Sequence, residues 1–301
     1  MYKVLIIGYG SIAKKHIKSL KKIKSIKCIY LYSRRKIKYK NYINSYKEII
    51  KINPDYFLIT SETSNHYKYL KFIIENFHNK RILVEKPLFK NYKNLNIKNN
   101  KVFIGYNLRM HPVLQFVKKF INKKEIFYVN SRCESFLPKW RKDRNYTKSS
   151  SASKKLGGGV LLDLSHELDY LIWFFKDLLP KYVINSKISN LNISSDDFLL
   201  LIAKNKEKIH FNISLNFFSK IETRQLVING KNFTIFADII KNKIKIINKN
   251  KNKNILYKKF NISDTYLNMH KAILNNKFKN ICNYSQGVKI MKLIERIRLL
   301  K

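Results

Sequence analysis

The first twenty residues constrain the fold more than any other part of the chain. Lys3-Val4-Leu5-Ile6-Ile7 is a short apolar strand, Gly8-Tyr9-Gly10-Ser11-Ile12-Ala13 follows it, and a helical pattern runs on to about Leu20. Glycines at this spacing, between a strand and a helix, form the turn that seats a dinucleotide. Gly8 permits the tight turn, Gly10 lets the backbone approach a pyrophosphate, and Ala13 allows the helix to pack closely on the strand. The helix N-terminus, opened by Ser11, Ile12 and Ala13, presents backbone N–H groups to the phosphates.

The alternation continues. Strands are predicted at 28–32, 55–60, 81–84 and 102–104, with helices at 42–51 and 66–77 between them. Strands separated by helices imply a parallel, doubly wound sheet. From about residue 125 the pattern changes. Extended segments recur near 126–136, 181–190, 197–204, 208–217, 222–229, 232–237 and 243–248, and two helical segments, about 264–275 and 285–300, close the chain. The fold class expected is therefore α/β: a Rossmann doubly wound parallel sheet over residues 1–106, then an α+β domain with a large, mostly antiparallel open sheet over 107–301. The closing helices are expected to pack back on the first domain.

Between the opening strand of the second sheet and the rest lies Gly157-Gly158-Gly159-Val160-Leu161-Leu162-Asp163-Leu164-Ser165-His166-Glu167-Leu168-Asp169-Tyr170, which reads as a single helix continuing through Phe175. It is apolar nearly all round and should be buried. Buried charge is costly unless paired or used. Asp163, His166 and Asp169 are three apart, so on one helix they share a face, with the imidazole between two carboxylates. Such neighbours hold one tautomer and raise the His pKa toward working pH. That arrangement suits proton transfer.

The net charge of +43 looks like a nucleic-acid signature. The excess is Lys spread along the whole chain, among abundant Ile, Asn, Tyr and Phe and few Gly and Pro. A genome-wide base bias that places Lys on a solvated surface explains it best. Attraction of phosphorylated or acidic ligands comes second. Nucleic-acid binding comes third, because no basic arm or nucleic-acid motif is present. The run Asn248-Lys249-Asn250-Lys251-Asn252-Lys253-Asn254 reads as a polar turn between two strands. Cys28, Cys133 and Cys282 show neither metal-ligand spacing nor a disulfide framework, so no metal is expected. No signal peptide and no apolar run of about 18 residues is apparent, which points to a cytoplasmic protein without a membrane partner.

A third motif, Glu85-Lys86-Pro87, follows the apolar strand Ile82-Leu83-Val84. Taken in order with the Gly8–Ala13 turn and the block that begins at Gly157, it makes the chain resemble the Gfo/Idh/MocA family of nicotinamide-dependent oxidoreductases along almost its whole length. The resemblance implies a Rossmann domain, a C-terminal open sheet, NAD or NADP, and a sugar or other polyol derivative as substrate. One departure stands out. The family usually has three residues between the Asp and the His of the last motif, and here Asp163 and His166 have two. The shorter spacing resembles a subset associated with bacterial surface-sugar pathways.

Candidate site residues follow. Lys86 sits at the carboxyl edge of the sheet, where its ammonium can hydrogen-bond the reacting oxygen, and Glu85 precedes it. His166 would remove or supply the hydroxyl proton, flanked by Asp163 and Asp169. After the second strand, where NAD enzymes usually place an acidic residue, the chain has Ser33-Arg34-Arg35, which suits the 2′-phosphate of NADP, with NAD as the alternative. Thr63 and His66 follow the third strand and either line the cofactor cleft or serve as cap and surface. The resemblance implies Arg109 near the site, among Asn107, Arg109 and His111 and before Pro112, a good first helical residue. A long polar loop contributes Arg144 and Tyr146 as substrate contacts, or as solvated loop. Trp173-Phe174-Phe175 reads as core. Together these predict an NADP(H)-dependent oxidoreductase acting on a hydroxyl or carbonyl of a sugar or sugar derivative. The competing readings are an isomerase or hydrolase that cycles bound nicotinamide, and a non-catalytic dinucleotide-binding scaffold or sensor. A homodimer or homotetramer is expected, with Phe211-Asn212-Ile213-Ser214-Leu215-Asn216-Phe217 as a possible pairing strand.

Overall fold

The computed structural model describes residues 1–140, 145–248 and 251–300, and the chain divides into two compact units. Met1–Met110 and Asn261–Met291 form the first, and His111–Phe260 with Lys292–Lys301 the second.

In the first unit the strands are β1 (Tyr2–Ile7), β2 (Ile26–Tyr32), β3 (Tyr42–Ile43), β4 (Tyr56–Ile59), β5 (Arg81–Val84), β6 (Lys101–Ile104) and β15 (Cys282–Asn283). They lie in the order β15-β6-β5-β4-β1-β2-β3. All neighbours are parallel except β15, which runs antiparallel to β6 through Cys282 and Ile104. Strands buried on both faces read as unbroken apolar runs, and Val4, Leu5, Ile6 and Ile7 of β1 and all of β4 are fully buried. Between strands run α1 (Ser11–Leu20), α2 (Tyr46–Ile52) and α3 (His66–Asn76), and α7 (Ser263–Leu274) returns later in the chain. Met269, Ile273 and Leu274 of α7 share one core with Ala13, Ile17 and Leu20 of α1.

The helix expected over 42–51 starts later. Ser45 caps α2 by accepting the Glu48 N–H at 3.2 Å while the Glu48 carboxylate accepts the Ser45 N–H at 3.1 Å. This reciprocal pair fixes the first turn, and it frees Tyr42 and Ile43 to pair with Leu31 and Tyr32 as β3.

The second unit is built on eight strands in the order β14-β13-β12-β11-β7-β10-β9-β8. They are β7 (Ile126–Phe136), β8 (Leu179–Ser186), β9 (Phe198–Lys204), β10 (His210–Asn216), β11 (Phe218–Gly230), β12 (Phe233–Asp238), β13 (Lys243–Asn248) and β14 (Asn252–Leu256). Among the described residues only the β7–β10 pair is parallel. Helices α4 (Pro112–Ile121), α5 (Val160–Asp163) and α6 (His166–Phe175) also belong here, while α8 (Tyr284–Leu299) closes the chain. Phe175 of α6 meets Phe211 of β10 edge-on at 5.2 Å, and Phe120 of α4 meets Phe233 of β12 at 5.5 Å. Trp173 and Phe175 are buried, as expected of core.

One side of β10, with Phe211, Ile213 and Leu215, is fully buried, as expected of a strand that covers the domain's own helices. Its other side presents Asn212 and Ser214. The single helix expected from the glycines to Phe175 is broken. After one turn of α5, Ser165 N–H reaches only Leu162 O, at 3.4 Å, and Glu167 N–H only Leu164 O, at 3.3 Å. Both are three-residue closures. The regular four-residue ladder resumes with Asp169 N–H on Ser165 O at 3.0 Å. Asp163 therefore ends one helix and His166 begins the next, and helical spacing relates only His166 and Asp169.

Candidate active site

The β3-β2-β1-β4-β5-β6 order reverses direction beside β1, and ligands of such sheets bind beyond the carboxyl ends of the strands at that point. Gly8 stands there with φ of +100°, and a Cβ on it would lie 2.7 Å from the Ser61 nitrogen. Backbone conformation and space both demand glycine. The Thr60 hydroxyl donates to the carbonyls of Ile7 and Gly8, at 3.1 and 3.0 Å, and so ties the ends of β1 and β4 at the turn. Gly10 is the residue before α1. It has no side-chain cap, the first turn holds no acidic residue, and a Cβ on it would meet nothing within 4 Å. Open space over uncapped N–H groups fits a pyrophosphate, and the residues present therefore suit a dinucleotide.

Beyond β2, Ser33 is half-buried, and Arg34 and Arg35 are exposed. The Ser33 hydroxyl accepts the Arg35 N–H at 3.2 Å, and its carbonyl accepts the Tyr42 hydroxyl at 3.1 Å. Beyond β4, Thr63 opens a short 3-10 turn that leads into α3. His66 is buried, with Nε2 3.1 Å from Ser61 O and Nδ1 3.0 Å from Pro87 O. Burial holds its pKa below the ordinary value. The neutral ring lies between the loop after β4 and the loop after β5 and donates its single N–H to one of these carbonyls.

The loop after β5 carries Glu85, Lys86 and Pro87. Glu85 is buried, Lys86 is half-buried, and the Lys86–Pro87 bond is cis. Farther on, Arg109 is 1% exposed and donates to Gln286 Oε1 at 2.7 Å, while the Asn107 amide donates to the Thr265 hydroxyl at 2.6 Å. Both side chains tie the segment after β6 to the returning part of the first unit.

In the second unit the triple glycine makes a tight entry to α5. Gly157 and Gly159 have φ of +84° and +115°. A Cβ on Gly158 would strike the Ser150 carbonyl, and one on Gly159 the Asp196 carboxylate. Asp196 caps α5 by accepting the Leu161 N–H at 2.9 Å. His166 and Asp169 lie one turn apart at the start of α6 and are 9% and 1% exposed. Tyr146 is half-buried, and its hydroxyl accepts the Asn192 N–H at 3.2 Å. Arg144 lies outside the described residues.

Behind His166, α6 is tied down by polar contacts. The Glu167 carboxylate lies 2.8 Å from the Arg224 guanidinium of β11, and the Tyr170 hydroxyl is 2.7 Å from that of Ser131 on β7. Burial works against the Arg224 charge, but the Glu167 carboxylate beside it holds its pKa above the ordinary value. Burial pushes the Cys133 thiol up to about 12, so it stays protonated.

Residues 2–98 match the Gfo/Idh/MocA family model, whose description is an oxidoreductase family with an NAD-binding Rossmann fold. The match covers the Rossmann domain, about the first third of the chain. No curated protein matches it by sequence. Solved structures share its fold. UDP-N-acetylglucosamine 3-dehydrogenase GnnA from Acidithiobacillus ferrooxidans is 14% identical, with TM-score 0.78, over 99% of this chain and 97% of its own. A levoglucosan dehydrogenase in complex with NADH is 14% identical, with TM-score 0.84, over 99% and 96%. The WlbA dehydrogenase from Bordetella pertussis, in complex with NADH and UDP-GlcNAcA, is 13% identical, with TM-score 0.80, over 99% and 94%. These likenesses show a shared fold of an N-terminal parallel sheet and a C-terminal, mostly antiparallel one. Among the described residues no helix is long and apolar enough to cross a membrane, and no group of three or more His, Cys, Asp or Glu is placed to hold a metal ion.

Reading the residues one by one missed a set of buried polar side chains in the first unit. His16 lies on the buried stripe of α1 with Ala13, Ile17 and Leu20, and His270 on that of α7 with Met269 and Ile273. Histidine inside an apolar stripe was the available signal.

Proposed function

We propose that this chain is an NADP(H)-dependent oxidoreductase that interconverts a hydroxyl and a carbonyl on a sugar or sugar derivative. The observation that carries this is the position of Lys86 two strands over from the Gly8–Ala13 turn, at the carboxyl end of the same sheet. A nicotinamide held at the Gly8–Ala13 turn would supply or accept the hydride. Lys86 donates a hydrogen bond to the reacting oxygen and favours the developing alkoxide. His166 takes or returns the hydroxyl proton, and Asp169, one turn along α6, supports its charged form. Asp163 and Tyr146 contact the substrate. Ser33 and Arg34 receive the ribose phosphate, with Arg35 contributing charge.

Nucleotide-linked sugars lead the candidate substrates, because two of the structures that share the fold are described with UDP-sugars. The strongly positive chain also favours an anionic ligand. The test is a panel of free sugars, anhydrosugars and UDP-sugars, each offered with NADP⁺ and with NAD⁺, following formation of reduced nicotinamide. Turnover of at least one sugar with NADP⁺ preferred is expected. Cofactor binding without turnover of any member contradicts the proposal.

A further inference from the structure

Four buried side chains in the first unit form one hydrogen-bonded chain that the chemistry above does not use. Glu85 Oε1 is 2.9 Å from His16 Nε2, His16 Nδ1 is 2.8 Å from His270 Nε2, and His270 Nδ1 is 2.9 Å from Tyr56 Oη. His16, His270 and Tyr56 are fully buried, and Glu85 nearly so. The four residues come from the loop after β5, from α1, from α7 and from β4. Tyr266 packs edge-on to the His16 ring at 5.2 Å.

The carboxylate end is built to fit. A Cβ at Gly105 would lie 2.6 Å from Glu85 Oε1, so glycine there leaves room for the carboxylate. The other oxygen, Oε2, accepts the backbone N–H of Lys86 at 3.2 Å. An ionised carboxylate only accepts, so the proton between Glu85 and His16 sits on His16 Nε2. With His16 neutral, its Nδ1 accepts from His270 Nε2–H, and His270 Nδ1 accepts from the Tyr56 hydroxyl, so every link has one donor and one acceptor. Leaving any of these groups unpaired exposes a buried polar atom to an apolar surrounding, which makes the chain stiff.

We propose that this chain is a positioning device that locks the loop carrying Lys86 to α1, the helix whose first turn seats the dinucleotide. His16 stands one turn beyond Ala13 in α1 and holds the Glu85 carboxylate, which in turn holds the Lys86 backbone. His270 and Tyr56 fix the plane of the His16 ring. Cofactor turn and Lys86 loop then move as one body. The proposal rests on the assignment of Lys86 as a catalytic residue, and it is tested without turnover.

Two substitutions separate the links. His16→Gln places an amide near the Nε2 position and keeps the contact to Glu85 while losing that to His270. His16→Asn places its amide near Nδ1, keeps His270 and loses Glu85. The readouts are the rate of Lys86 acylation by an N-hydroxysuccinimide ester, resolved by peptide mass spectrometry, and NADH affinity from its fluorescence. His16→Asn is expected to change the Lys86 rate several-fold, His16→Gln to leave it near wild type, and both to retain NADH affinity. An equal change in both variants, or none in either, overturns the proposal. If neither variant folds, nitrogen-15 spectra of histidine-labelled wild-type protein decide. A proton on His16 Nε2 at neutral pH supports the proposal, and an unprotonated Nε2 overturns it. Failure of the catalytic assignment shows separately, as turnover that survives Lys86→Ala.

Discussion

Glu167 of α6, with no exposed side-chain surface, sits 2.8 Å from the guanidinium of Arg224 on β11. The pair is the residue next to His166 bonded to the central sheet of the second unit, so it fixes how far α6 can rotate or slide. Arg224→Met alone should destabilise the fold by about 3–5 kcal/mol, because it strands a buried carboxylate. The double variant Glu167→Leu with Arg224→Met should recover most of that loss. Thermal and urea unfolding of the three proteins check both halves.

Burial holds His66, His111 and His270 below the ordinary value of 6.5, with His111 lowered to about 4. The unfolded chain therefore binds more protons than the folded one below that value. Stability is complete above pH 6.5 and declines as pH falls. His111 alone contributes about 3 kcal/mol of this loss by the time the pH reaches its folded pKa. Urea unfolding followed across that range should show the decline, and a flat profile contradicts the neutral, buried state of these rings.

At the cofactor turn, Gly8→Ala forces an L-residue into a φ of +100° with its Cβ 2.7 Å from the Ser61 nitrogen. The turn must shift, and NADPH affinity should fall by roughly fivefold to 150-fold, given a strain of about 1–3 kcal/mol. Fluorescence titration measures it.

How much of this was legible in the residues varied with the range of the interactions involved. The Gly8–Ala13 turn and Lys86 could be placed because each is set by the strand immediately before it. Pro112 opens α4 as its ring requires. The true start of α2 was also legible, since Ser45 and Glu48 carry the capping pair, but the apolar pattern from Tyr42 masked it. The start of α5 is capped by Asp196, more than thirty residues away, and no local pattern encodes that contact. The His16–His270 contact joins residues 254 positions apart and becomes visible only once α7 folds back on α1.

Arg34 is exposed beyond β2, where the adenosine ribose is proposed to bind. A charge-assisted contact to a 2′-phosphate contributes on the order of 1.5–3 kcal/mol. That corresponds to roughly a ten- to hundredfold preference for NADP(H). Arg34→Ala should erase most of it, while neutralising distant lysines should weaken both cofactors together. Paired titrations with NADPH and NADH distinguish the two causes.

The most direct test compares Lys86→Ala and His166→Ala with wild type on whichever sugar the panel identifies, measuring kcat and cofactor affinity in the same preparations. Each substitution should lower kcat by roughly 10²–10⁴-fold while cofactor affinity stays near wild type. Wild-type turnover in either variant contradicts the roles assigned to these two residues and, with them, the chemistry proposed for the chain.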